Sequence, residues 1–302
     1  TAKLRVSQTV LRAGTLLPKL PVVSYNDSRL LPQTFQGGWV NSTDIAGLTL
    51  DGGQLQQVNE RDSSDYQDMV VNTLSKKNIR FSGDPQSDEF NFAGGSYKWN
   101  DSLSTGYHYG NLEGLYNQHI LSLVHLLPIA DKQSLKTDLR FARSTDDGDS
   151  NIDNKAFGAL FTYAMGFHSF GLGYQKMSGD TGYAYLSDSD PFLVNYVQIN
   201  DFANKDEKSW QVRYDYNFAG LGIPGLTFMT RYIRGSDIDQ LNPALSDASE
   251  WERDTDIAYV IQDGPLKNLG IKWRNATVRN DIVGGSDLDE NRLILSYTLP
   301  LW

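Results

Sequence analysis

Residues 156–174, AFGALFTYAMGFHSFGLGY, are long and apolar enough to cross a membrane as one helix, but their period is two, not 3.6. Phe157, Ala159, Phe161, Tyr163 and Met165 share one face, and Gly158, Leu160, Thr162, Ala164 and Gly166 share the other. After a turn at Gly166-Phe167-His168 the alternation resumes, with Phe170, Leu172 and Tyr174 opposite Ser169, Gly171, Gly173 and Gln175. That pattern is a β-hairpin with one bulky apolar face and one small or polar face.

The same alternation recurs along the chain. In residues 208–218, Trp210, Val212, Tyr214, Tyr216 and Phe218 alternate with Gln211, Arg213, Asp215 and Asn217. Residues 226–232 set Leu226, Phe228, Thr230 and Tyr232 against Thr227, Met229 and Arg231, and residues 103–110 set Leu103, Thr105, Tyr107 and Tyr109 against Ser104, Gly106, His108 and Gly110. Two strands change character at glycine pairs, where bulges are expected: Phe90 and Phe92 lead to Tyr97 and Trp99 across Gly94-Gly95, and Leu48 and Leu50 meet Gly52-Gly53. The pattern predicts about 14 strands, near residues 3–13, 36–42, 46–59, 89–99, 103–111, 116–129, 133–144, 153–166, 168–177, 208–218, 225–234, 252–262, 268–279 and 290–301. A typical length of roughly 10 residues suits a tilted membrane strand better than the 5–6 of soluble sheets.

Connections alternate between short turns and long polar segments such as 61–88 and 178–207, as in an outer-membrane barrel. Acids gather in STDDGDSNIDN after Arg143, SDSD at 187–190 and SDASEWERDTD from Ser246, all read as external connections. The last strand places Leu293, Leu295, Tyr297, Leu299 and Leu301 outward and Arg292, Ile294, Ser296 and Thr298 inward, and ends on Trp302. The predicted fold is all-β, a transmembrane antiparallel β-barrel.

Composition narrows function. With 27 Lys and Arg against 37 Asp and Glu, the net charge is −10, which disfavours a nucleic-acid partner. There are no cysteines, and the four histidines form no metal-binding pair, so no cofactor or metal is expected. His108, His119, His125 and His168 also show no motif that would make the chain an outer-membrane enzyme. No linker divides residues 1–302, so one domain is expected. Residues 1–10, TAKLRVSQTV, show no signal-peptide pattern, so the chain reads as a mature product or as one whose front is missing.

If the aromatic face meets lipid, Lys3, Arg5, Lys136, Arg140, Arg213, Arg231, Lys272, Arg274 and Arg292 turn into the lumen, with Asp138 and Asp215 as candidate partners. So many cations against so few inward acids predict an anion-selecting path. Residues 15–35, TLLPKLPVVSYNDSRLLPQTF, hold three prolines and are too apolar for a solvated loop and too broken for a strand. Folded inward, this loop would narrow the channel and offer Tyr25, Asn26, Asp27, Ser28 and Arg29 to a passing solute.

PVVSYNDSRLLPQTF, GLGIPGLTFMTRYIRG at 220–235, KWRNATVR at 272–279 and DENRLILSYTLPLW at 289–302 resemble the OprD family of substrate-specific outer-membrane channels of Gram-negative bacteria, the Occ carboxylate channels. The resemblance runs over essentially the whole chain. It implies a barrel of about 18 strands in the complete protein, within the range of such barrels, of which four strands precede this chain. It also implies a third loop, helped by a seventh, that folds inward as a constriction, and passive uptake of small carboxylate solutes. On this sequence the constriction arginine is Arg29, beside Tyr25, Asn26, Asp27 and Ser28. The family's basic row maps onto Lys272, Arg274 and Arg292, and also onto Lys3, Arg5, Lys136, Arg140, Arg213 and Arg231. Residues 178–207 take the seventh-loop position, with Asp180, Tyr185, Asp188 and Asp190 as candidates for an opposing acidic side.

Residues 60–69 and 178–207 resemble the subgroup that takes aromatic or cyclic monocarboxylates such as benzoate- and vanillate-like acids. The alternative is a channel for basic amino acids and small peptides, which Asp27 keeps open because an ammonium needs an anionic partner. Expected partners are carboxylate solutes and the lipid and lipopolysaccharide of the outer membrane, with weak homo-oligomerisation and no nucleic acid.

Overall fold

The structure, a computed structural model, describes residues 1–298. Leu299, Leu301 and Trp302 of the predicted last strand lie outside the described residues. The wall is a 16-stranded antiparallel sheet. Fifteen of its strands follow one another in chain order: β1 (Ala2–Val6), β2 (Thr9–Leu16), β3 (Thr34–Ser42), β4 (Leu48–Asn59), β5 (Phe90–Lys98), β6 (Leu103–Leu112), β7 (Tyr116–Ala130), β8 (Gln133–Asp146), β9 (Asp153–Met165), β10 (His168–Ser178), β11 (Lys208–Asn217), β12 (Leu226–Ile238), β13 (Ala248–Val260), β14 (Leu269–Asn280) and β15 (Leu288–Tyr297). The remaining strand, Tyr66–Gln67, pairs with the end of β4. Two-residue turns at Ser7-Gln8, Asp131-Lys132 and Gly166-Phe167 lie at one end, and the long segments 17–33, 60–89 and 179–207 join strands at the other.

Two sequence readings are corrected here. Residues 3–13 are not one strand but the hairpin β1–β2, with Arg5 opposite Val10 and Val6 opposite Thr9. Ser7 turns the chain at φ 56°, a conformation that alternation alone does not reveal. Two strands therefore precede the 17–33 segment, and the reversal of parity brings Arg12 to the inward face, in register with Lys3. The second correction concerns the glycine pairs. Pairing runs unbroken past Gly94-Gly95 and Gly52-Gly53, and the bulge falls at Gln56, which is skipped between Gln36↔Gln57 and Gly37↔Leu55.

The face change in β5 comes from what fills the barrel. On its inward side Phe90 and Phe92 are fully covered, together with Phe35, Leu55, Leu112, Tyr116 and Ile120 from neighbouring strands. What covers them is not lipid but the inward segments, through Leu20, Val22, Val23, Met69, Ala184, Leu186 and Leu193. Two glycines make room for that approach: a Cβ on Gly110 would stand 2.9 Å from Val22, and one on Gly158 would stand 2.9 Å from Val194. The outward face keeps the opposite character, with Phe157, Phe161, Leu172, Trp210, Trp273, Leu293 and Leu295 all exposed, as a lipid-facing band requires.

Candidate functional site

Two inward segments meet at one guanidinium. Residues 26–33 form a closed tip, with Gln33 N–H donating to the Asn26 carbonyl at 2.9 Å. Arg61, at the foot of the 60–89 segment, donates to Asn26 Oδ1 at 3.1 Å and to Ser28 Oγ, and pairs with Asp188 Oδ2 at 3.0 Å. Asn26 Oδ1 also accepts from Ser28 N–H at 2.8 Å, so the tip's fold and its anchorage share one atom. Gln33, wholly buried, bonds Glu60 Oε2 and the Ser187 carbonyl, each at 3.0 Å, and accepts from Ser189 Oγ at 3.0 Å. Asp190 N–H donates to the Ser24 carbonyl at 2.9 Å, and the Asp190 carboxylate accepts from Tyr196 Oη at 2.8 Å.

The sequence-derived constriction residues thus divide. Asn26 and Ser28 are occupied by Arg61. Tyr25 packs under the Lys19 ammonium, 4.6 Å from the ring centroid, and the exposed Asp27 lies 3.7 Å from the same ammonium. Arg29 is exposed and makes no ion pair or hydrogen bond among the described residues; next to it Leu30 and Leu31 are 98% and 68% exposed. Of the acidic-side candidates, Asp188 and Asp190 reach this tip. Asp180 and Tyr185 do not. Asp180 only accepts, through its carbonyl, from Asn78 Nδ2 at 2.9 Å. Tyr185 donates to Asp201 at 2.9 Å beneath Lys77, which is fully buried and pairs with Asp201 at 2.5 Å.

Burial governs the charge state of the acids at the tip. It pushes the Glu60 carboxyl up to about 7, and the neighbouring Asp188 charge adds to the effect. Burial likewise raises Asp190, against the opposing hydrogen bond from Tyr196.

Below the tip, the strands place every one of the nine expected basic residues on the inward face, but not against few acids. Arg140 forks onto Asp138 at 2.9 and 3.0 Å, and Arg213 onto Asp215 at 2.6 and 2.7 Å. Arg231 pairs with Asp254 at 2.7 Å, Arg274 with Asp256 at 2.9 Å and Arg292 with Glu290 at 2.7 Å, while Lys272 stands 3.6 Å from Asp256. The expected excess of unpaired cations is therefore corrected. SDASEWERDTD is not an external connection: most of it is strand β13, and its alternation turns Glu250, Glu252, Asp254 and Asp256 inward. Lys3, Arg5 and Lys136 have no acidic partner among the described residues. Arg12, unmarked in the sequence, stacks on the Trp39 ring at 4.7 Å. Near the short-turn end, Arg213, Asp215, Thr227, Met229, Asp256 and Lys272 line a cavity of about 500 Å³.

A wall of tilted antiparallel strands with apolar residues outside, ion pairs inside and loops drawn into the bore is the architecture of a channel. Residues 1–301 match the family model described as outer membrane porin, OprD family. The chain belongs to the OprD family. Among curated relatives, the porin-like protein GalP of Pseudomonas putida is 38% identical over 304 residues, covering 99% of this chain and 70% of that protein. Porin D of Pseudomonas aeruginosa is 34% identical over 323 residues, covering 99% and 71%. Among solved structures, Pseudomonas aeruginosa OpdQ superimposes with a TM-score of 0.96 at 66% identity, covering 99% of this chain and 80% of that one. OccK7 (OpdD) of the same organism gives 0.93 at 59% identity, covering 99% and 77%. This OprD-family porin is a channel of the Gram-negative outer membrane and not an enzyme.

Arg61 is the anchor of the tip that the sequence concealed. It sits in a polar run without periodicity, and its partners Asn26 and Asp188 are 35 and 127 residues away. Two small signals do point to the inward loops: the glycines on inward faces of β6 and β9, and the apolar, proline-rich composition of residues 17–33.

Proposed function

We propose that the porin passes small carboxylate-bearing solutes by unassisted diffusion, with aromatic or cyclic monocarboxylates as its preferred class. The observation that carries this is Arg29. Unlike the inward-facing arginines, most of which are ion-paired, its guanidinium has no partner among the described residues, and two exposed leucines follow it in the chain. A carboxylate takes a guanidinium through paired hydrogen bonds, and the leucines offer an apolar surface to the ring behind it. The unpaired Lys3, Arg5 and Lys136 extend an anion-attracting path along the wall.

A second reading, passage of basic amino acids and small peptides, is favoured by the exposed Asp27 and the half-exposed Asp188, which present anionic oxygens at the same tip. Uptake of labelled benzoate and of labelled arginine into proteoliposomes separates the two. The carboxylate reading expects benzoate to enter faster and Arg29→Ala to lower its flux about tenfold, the worth of one charge-assisted hydrogen bond. Equal benzoate flux in parent and variant would sink the role given to Arg29, and faster arginine uptake would favour the second reading.

A further inference from the structure

The outward face carries a group of cations that the conduction path does not use. Sheet register places His119 opposite Arg143 and Arg143 opposite Lys155, across β7, β8 and β9. On the next strands Lys176 stands opposite Lys208, and Arg234 lies between Trp210 and Trp251. All share their parity with the lipid-facing Leu121, Phe141, Phe157, Tyr174, Trp210 and Tyr232, so none points into the lumen. Like charges directly opposite on one face of a sheet repel, and here it happens twice, at Arg143–Lys155 and Lys176–Lys208. Asp153 answers Arg143, and Asp237 answers Lys208 at 2.7 Å. Lys155, Lys176 and Arg234 are exposed and have no acidic partner among the described residues.

Height identifies the counter-charge. Lys155 and Met165 bound the outward run of β9, ten residues apart. At about 3.4 Å per residue and a tilt of about 40°, that run rises roughly 26 Å, the height of a barrel's apolar band. Met165 lies at the short-turn end and Lys155 at the long-loop end, so the cations sit where the apolar band meets the headgroups of the outer leaflet. Below them Phe157, Phe161, Leu172 and Tyr174 offer an apolar surface for acyl chains.

We infer that Lys155, Lys176, Lys208 and Arg234 form a docking belt for a phosphorylated glycolipid of the outer leaflet, the lipid A portion of lipopolysaccharide. Its phosphates neutralise the opposed cations, and its acyl chains lie along the aromatic band beneath. Strand spacing of about 4.8 Å spreads the four side chains over roughly 15 Å of wall, so one headgroup bearing two phosphates can span them.

The test titrates purified porin with lipid A and follows occupancy by native mass spectrometry. Combined Lys155→Gln, Lys176→Gln and Arg234→Gln is expected to weaken binding about a hundredfold, ~3 kcal/mol at 1.4 kcal/mol per tenfold. Lipid A stripped of its phosphates is expected to bind the parent as weakly as intact lipid A binds the variant. Single-channel conductance of the variant stays at the parent value, which also shows that its wall is intact. Should the triple variant not assemble, Lys176→Gln alone keeps the test open with an expected loss of about fivefold. Parent-like affinity in whichever variant assembles, or equal binding of the dephosphorylated lipid, overturns the belt. Inorganic phosphate that competes as strongly as lipid A also overturns it, since the site would then recognise an anion and not a lipid.

Discussion

Replacing Arg61 with alanine removes the guanidinium that ties the 26–33 tip to the 179–207 segment. The parent side chain makes two hydrogen bonds and one ion pair, all through a mostly buried group. Hydrogen bonds to a charged partner contribute about 1.5–3 kcal/mol each when buried. Asp188 is 40% exposed, so its share is screened toward the ~1 kcal/mol of surface pairs. Two such bonds and the screened pair sum to roughly 4–7 kcal/mol, which is several hundredfold or more in the ratio of joined to separated states. Part of the effect is the loss of partners for Asn26 Oδ1, which also fixes the tip's own turn through Ser28 N–H.

The readout is single-channel recording in planar bilayers. Arg61→Ala is expected to show frequent transitions to a second, larger conductance and a weaker discrimination between anions and cations. Arg61→Lys keeps the charge but not the fork that reaches Asn26 and Asp188 from different nitrogens, so it should fall between parent and alanine. Asp188→Ala combined with Arg61→Ala should add little to Arg61→Ala alone, because the two side chains act as one pair. An Arg61→Ala channel with parental conductance, noise and ion preference would refute the idea that this residue joins the segments.

Glu60 predicts a pH dependence. With its carboxyl raised to about 7, it is neutral below that pH and anionic above it, so the ratio of anion to cation permeability should rise as pH falls through about 7. Glu60→Gln should flatten that profile, and an unchanged profile would remove Glu60 as its source. Lys77→Met leaves Asp201 buried against Tyr185 without its cation, a loss of about 3–5 kcal/mol for a broken buried pair. Limited proteolysis should then cut within 179–207 much faster than in the parent; equal cleavage rates would show that the pair does not hold the segment.

Strand faces were legible because lipid imposes one rule on every second residue. Phe157, Phe161 and Trp210 outside, with Arg213, Lys272 and Arg274 inside, follow from parity alone. Where one local torsion reverses parity the rule misleads: Ser7 at positive φ made two strands of one and hid Arg12. The acids of β13 were misread for a different reason. A dense run of charge resembles a solvated loop, yet guanidinium groups on the inward face let Asp254 and Asp256 sit in a strand as paired carboxylates. The tip's partners were beyond reach because they lie far apart in the chain and carry no period.

Pairing within the bore bears on how a selective channel can still conduct. An unpaired row of cations would repel itself across the sheet, as at Arg213 and Arg231, which stand directly opposite each other. Asp215 and Asp254 remove that repulsion. They would also compete with a passing anion, so that under the proposed function a solute carboxylate would exchange places with a resident one and never meet the full field of the row. Binding that is favourable enough to attract but shallow enough to release is what conduction requires. On this reasoning the two regions control different quantities. In the proposed reading, Arg29 and the Arg61 clasp would decide which solute passes, whereas the spacing of pairs from Arg140 to Lys272 would decide how fast it moves. Lys272, 3.6 Å from Asp256 at the short-turn cavity, is the loosest pair of the row and the place where a carboxylate displaces its competitor most easily. Lengthening the carboxylate arm with Asp256→Glu should tighten that pair and hinder its displacement, lowering flux while leaving the order of preferred solutes intact. A change in that order with unchanged flux would mean that the row, and not the tip, sets specificity.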